Sequence, residues 1–272
     1  MDLGASSKVL GFSDPAHISN TALFSYHPTV YFYFMLAFLF LPYPLYRHVA
    51  HRNGWELATK SWARHWTDGM LACSYGLIVF VFGNYAHCFN WITVTSFYPA
   101  LFGYGLIAEL PFTKTSLPRI QSWPFGMWVF FLIALIVILG FAGIHIYLAS
   151  TLTRPFVIYY VGGLLIPFGI LMTAQILIKY VNNRNPLSQQ DQSTKDQSGA
   201  SHASRDVESN LSQMASTTPR LSLHIHHWQI FYVLAFFTRF DQPISQVAAG
   251  IALACYMEGI CAYGYDHLVN DE

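Results

Sequence analysis

The stretch LHIHHWQI, from Leu223 to Ile230, places His224, His226 and His227 where a polar tract meets an apolar run. Imidazole and carboxylate groups are the protein ligands of zinc and of non-haem iron. On a helix, His224 and His227 share a face, and His226 points about 100° away from His227. If His224 is still extended, His224 and His226 share a side instead. Either geometry aims two imidazoles at one ion. His65, Asp266 and His267 are the candidates to complete a site for zinc or iron. The other reading is an interfacial collar, because histidine and tryptophan join an apolar body to a polar tip and suit a membrane headgroup layer.

A second chemical signal is Glu258, in ACYMEGICAYGYD. It lies about 12 Å deeper along a helix than Asp266. A carboxylate inside an apolar span is costly and marks a functional position by default. It must face a bundle interior and meet a donor, or stay protonated. Gly250, Ala254 and Ala262 offer small residues for close helix contact. In SWARHWTD, Ser61, His65 and Asp68 share one helical face. That set invites a nucleophilic reading, although this spacing on one helix is not triad geometry. The competing reading is an amphipathic turn entering a membrane between Trp62 and Trp66.

The elements that must position these groups are apolar. The chain is 54% hydrophobic and only 10% charged, whereas a soluble domain usually carries about 25% charged residues. Formal net charge is zero, which gives no electrostatic case for nucleic acid. Cys73, Cys88, Cys255 and Cys261 have no C-x-x-C spacing and read as buried thiols. A crossing helix needs about 20 mostly apolar residues. Candidates are Thr29–Tyr46, Gly69–Phe89, Gly126–Ser150, Phe156–Ile178, Pro243–Tyr265 and the short Trp228–Phe240. The start of the chain lacks the pattern of a cleaved signal peptide, so the first run is expected to act as an uncleaved anchor.

Ile92–Glu109 decides the count. If it crosses, the bundle has seven spans with the N-terminus outside or lumenal and the C-terminus cytoplasmic. Arg47, Arg52, Lys60, Arg64, Lys114, Arg119, Lys179, Arg184, Lys195, Arg205 and Arg220 then lie inside, and only Lys8, Arg154 and Arg239 outside. Loop Lys and Arg favour the cytoplasmic side, so this arrangement is preferred; with six spans the bias disappears. It also brings His65, Asp68, Glu109, the histidine cluster, Asp266 and His267 to one membrane face. Asn182–Pro219 is rich in Ser, Gln and Asp, has no aromatic residue, and is expected to be disordered. The expected organisation is a tail over 1–28, five spans over 29–181, a polar loop over 182–219, and the histidine element with two spans over 220–272.

The C-terminal region resembles the last membrane segments of fungal multi-span proteins that carry an LCCL domain. His224, His226, His227, Thr238, Arg239, Gly250, Gly259 and Gly264 carry that resemblance, over about 45 residues. It implies a shared membrane core of unassigned function, since no LCCL module is present in this sequence. Seven spans with Ser61 and His65 four residues apart also resemble alkaline-ceramidase-like hydrolases. That likeness implies zinc held by three histidines; the family's paired histidines on the last span are missing here. The fold expected is an all-α polytopic membrane bundle in a lipid bilayer. Its function is expected to be unassigned membrane activity with a divalent metal at the inner face, a zinc-dependent lipid hydrolase, or a transporter or scaffold.

Overall fold

A computed structural model describes residues 23–110, 123–184 and 221–271. Most of the expected polar loop, with its glycosylation sequon Asn210-Leu211-Ser212, and the N-terminal tail up to residue 22 lie outside the described residues. The fold is all-α. Helix α1 (Pro28–Met35) runs through a π-turn (Leu36–Phe40) into α2 (Pro42–Asn53). Next come α3 (Trp62–Phe82), a one-turn α4 (Tyr85–Cys88), α5 (Trp91–Ala108), α6 (Phe125–Ser150) and α7 (Arg154–Arg184). A short strand β1 (Leu221–Leu223), α8 (His227–Ala235), α9 (Pro243–Ala262) and β2 (Val269–Asp271) complete the chain.

Local chemistry sets these boundaries. Ser61 caps α3, its hydroxyl accepting from Arg64 N at 3.2 Å. Asn90 caps α5, its Oδ1 accepting from Ile92 N at 2.9 Å and Thr93 N at 3.3 Å. Pro42 and Pro44 have no amide N–H to continue an α-ladder. The preceding chain widens instead into the π-turn, where Leu41 N reaches Leu36 O at 3.1 Å.

The described residues fall into two compact units. One contains those up to Leu164 together with His226–Asp266. Its centre is α9, which packs against α5 and α8 and also touches α2 and the π-turn. Gly250 lets α9 and α5 approach closely: a Cβ there would stand 2.6 Å from Thr93 O. The other unit contains Leu165–Ile225 and the residues from His267 onward. In it β1 and β2 pair antiparallel, with Ser222 opposite Asn270, and Asn182 Nδ2 donates to Leu221 O at 2.9 Å. Alternation over three residues is too short to announce a strand in the sequence.

Among the described residues, five helical segments are long and apolar enough to cross a membrane: Pro28–Asn53, Trp91–Ala108, Phe125–Ser150, Arg154–Asn182 and Pro243–Ala262. The ambiguous fifth helix is among them. Helix α3 is a continuous 21-residue helix. Helix α8 is only 9 residues and starts at His227, about 13 Å long, well short of a hydrocarbon core. Helices α6 and α7 are apolar on every side and largely uncovered. Ile136 is 69% exposed and Ile158 73% exposed.

Candidate functional site

The site forms at the C-terminal end of α9. The last carbonyls of a helix have no partner within it and carry the negative end of its dipole. Here each of the last four is met. Gly259 O accepts from Tyr263 N at 2.9 Å, and Ala262 O from Ala58 N at 3.0 Å. Lys60 Nζ donates to Ile260 O at 2.8 Å, and Arg47 Nη1 to Cys261 O at 2.8 Å. Two cations thus sit where the dipole favours them.

Below this cap lies a buried charge cluster. Asp68, fully enclosed, accepts from Lys60 Nζ at 2.8 Å and from Arg64 Nε at 3.2 Å. Its Oδ1 also accepts from Tyr265 N at 3.2 Å. Arg64 Nη2 reaches Asp266 Oδ1 at 2.9 Å. Burial pushes the Lys60 ammonium below its usual range, and the Asp68 carboxylate opposes that shift. Gly264 makes the closure of this turn possible. It has φ of +99°, and a Cβ would stand 2.6 Å from Asp68 Oδ2.

One helical turn further into α9 is Glu258. Tyr46 Oη donates to its Oε1 at 2.9 Å. His227 Nε2 lies 3.0 Å from its Oε2. The Glu258 side chain is 3% exposed and that of His227 31% exposed, so the imidazole stands between the carboxyl group and the outside of the fold. Gly259 gives the ring its place, because a Cβ there would come within 2.7 Å of His227 Nε2. Tyr104 packs on the His227 ring with centroids 5.5 Å apart.

The two compact units divide the sequence candidates. His226 is the N-cap of α8, its backbone N–H donating to Gln229 Oε1 at 3.2 Å. His224 precedes the helix, so His224 and His227 do not share a helical face. His224 and His267 are exposed and belong to the other unit, where His224 N donates to Leu268 O at 2.9 Å. His65 Nδ1 is 2.8 Å from Tyr43 Oη. Ser61 is spent on its cap and Asp68 on its cations, so Ser61, His65 and Asp68 do not form a triad. Thr238 and Arg239 lie beyond the opposite end of α9. Thr238 Oγ1 is 3.1 Å from Tyr85 Oη, and the Arg239 guanidinium lies 5.2 Å from the Phe156 ring and 5.0 Å from that of Tyr159. Among the described residues no group of three or more His, Cys, Asp or Glu side chains is placed to hold a metal ion.

Sequence reasoning missed Tyr46, Arg47 and Lys60 as site residues. The two cations entered it only as topology charges. Nothing in the sequence pairs Tyr46 with a carboxylate more than 200 residues away. Comparison of the chain with protein families, characterised proteins and solved structures found no match.

Proposed function

We propose that this chain is a multi-pass integral membrane protein with a proton-linked, transport-type activity centred on the Glu258–His227 pair. The membrane reading rests on α6 and α7. A surface apolar on all sides and that extensive is at home in hydrocarbon and untenable in water. The Lys60, Arg64 and Arg47 end of the bundle faces the cytoplasm, following the loop charge bias.

The observation that carries the proton reading is the bridge of His227 between the outside of the fold and a buried carboxyl group. Imidazole can bind a proton at one ring nitrogen and pass another from its second. A proton taken at Nδ1 and one given from Nε2 to Glu258 Oε2 leaves the ring neutral and the carboxyl protonated. Tyr46 Oη remains as donor to the other oxygen.

The metal and hydrolase readings have less support, because the described residues bring together no set of ligands for zinc or iron. His227 is turned toward Glu258 and Asp266 toward Arg64. Bound zinc or iron would supply an activated water, which needs several converging ligands. The two readings differ on His224. Proton exchange needs His227 and Glu258 and leaves His224 dispensable. His224→Ala should then complement a strain lacking the gene, while His227→Ala fails. Stoichiometric zinc, iron or manganese in protein purified without chelator, lost with His224→Ala, would instead establish the metal centre.

A further inference from the structure

We propose that His65 is the trigger of a pH-sensitive latch that fastens the C-terminal end of α9 to the link between α2 and α3. The latch acts on packing, so it goes beyond the proton-exchange reading and does not need it. It is a continuous row of polar contacts. His65 Nδ1, on a half-buried ring in the first turn of α3, lies 2.8 Å from Tyr43 Oη of α2. Lys60 Nζ donates to the same phenol oxygen at 3.4 Å and to Ile260 O at 2.8 Å, and stands 2.8 Å from Asp68 Oδ2. The Lys60 side chain is 1% exposed, so these contacts take the place of its water. Arg47 of α2 adds to the fastening, through Nη1 to Cys261 O at 2.8 Å and Nη2 to Ala58 O at 3.3 Å. Ala58 N closes it by donating to Ala262 O at 3.0 Å.

With Lys60 donating to the Tyr43 oxygen, the Tyr43 hydroxyl proton goes to His65 Nδ1, which accepts only while the imidazole is neutral. Protonation reverses that contact. The new Nδ1–H points at an oxygen that already faces an ammonium, and the hydroxyl proton loses its acceptor. The surrounding groups set the sign. Tyr43 and Arg47 face the ring from α2, Lys60 from the link and Asp68 from α3 itself. Arg64 is turned to Asp68 and Asp266, and α9 contributes the Cys261 thiol near Tyr43 and Lys60. Burial, Arg47 and Lys60 hold the imidazole below its usual range, with Asp68 opposing. An unfolded chain therefore takes up this proton before the folded one does. The latch is fully closed above about pH 6.5, the ordinary imidazole value, and is lost as pH falls from there through the lower folded value. Lys60 and the phenol then part, and the link over residues 54–61 lifts from the last carbonyls of α9.

The test compares the full-length wild type with His65→Gln in mild detergent, at about pH 7.5 and about pH 5.5, on either side of the imidazole range. Glutamine keeps an acceptor for Tyr43 and carries no titrating proton. The readouts are hydrogen exchange at Ala58, corrected for the intrinsic rate at each pH, and the thermal midpoint. On acidification, protection of the Ala58 amide should fall several-fold in the wild type and stay nearly level in His65→Gln. The wild-type midpoint should drop a few degrees further than that of the variant. Tyr43→Phe, which has no hydroxyl to be contested, gives a second comparison and should shrink the pH difference. No acid loss of protection in the wild type, or a loss that His65→Gln or Tyr43→Phe retains in full, would overturn the latch. Neither readout depends on complementation, so failure of the latch leaves the Glu258 exchange standing.

Discussion

Asp68 shows how a buried charge is held and how much its removal should cost. Lys60, Arg64 and Tyr265 N all converge on its carboxylate. Breaking a buried pair by deleting one partner costs about 3–5 kcal/mol, because the other charge stays buried and uncompensated. Asp68→Ala should destabilise by that amount in thermal or denaturant unfolding. Lys60→Met with Asp68→Leu should cost less than Asp68→Ala alone, since no charge is then stranded between those two positions. A double variant as unstable as the single one would mean that Lys60 is not the partner that matters. Of these groups, Glu258 was legible in the sequence, because a carboxylate in an apolar run is conspicuous. Its partners were not, since hydrogen bonds between residues distant in the chain leave no local pattern. The histidine cluster is dense in sequence, but the helix starts only at His227, with His226 as its N-cap and His224 ahead of it.

At the scale of elements, α9 is the part everything else positions. Its C-terminus is fastened by Arg47, Lys60 and Ala58, and its middle is pressed on α5 at Gly250. Gly250→Ala must push Thr93 backbone aside, and overpacking of this kind costs about 1–3 kcal/mol. Gly264→Ala adds a strained positive φ to a clash with Asp68 and should cost about as much. Thermal midpoints of both variants in detergent check this, and midpoints equal to the wild type would mean that neither close approach constrains the fold. The long helices were legible because apolar length is a strong signal, and the ambiguous Ile92–Glu109 emerged as α5. The end of the short sixth segment was not. It stops at Ala235, with the next residues folded into a tight link whose side chains, Thr238 and Arg239, are buried. The π-turn was foreshadowed by Pro42 and Pro44, though proline alone does not say whether a helix bends, ends or widens.

For the whole molecule, orientation and chemistry can each be tested. The polar stretch between α7 and β1 should lie on the cytoplasmic side, so the sequon at Asn210 should carry no glycan when the protein is made in a eukaryotic host; a glycan there, detected by a glycosidase-sensitive mass shift, would reverse the orientation. The chemical claim is that Glu258 serves as an acid and base and not only as a packing group. Glutamine keeps its shape and can still accept from Tyr46 and donate toward His227, but it cannot exchange a proton. Leucine can do neither: it strands the buried Tyr46 hydroxyl, at about 1–3 kcal/mol, and leaves the half-buried His227 without its partner. The most direct test compares thermal stability and complementation of a strain lacking the gene for the wild type, Glu258→Gln and Glu258→Leu. If Glu258 exchanges a proton, Glu258→Gln unfolds within a degree or two of the wild type yet fails to complement, while Glu258→Leu is lost on both counts. Full complementation by Glu258→Gln would contradict that role, leaving the carboxyl group a packing element of the last span.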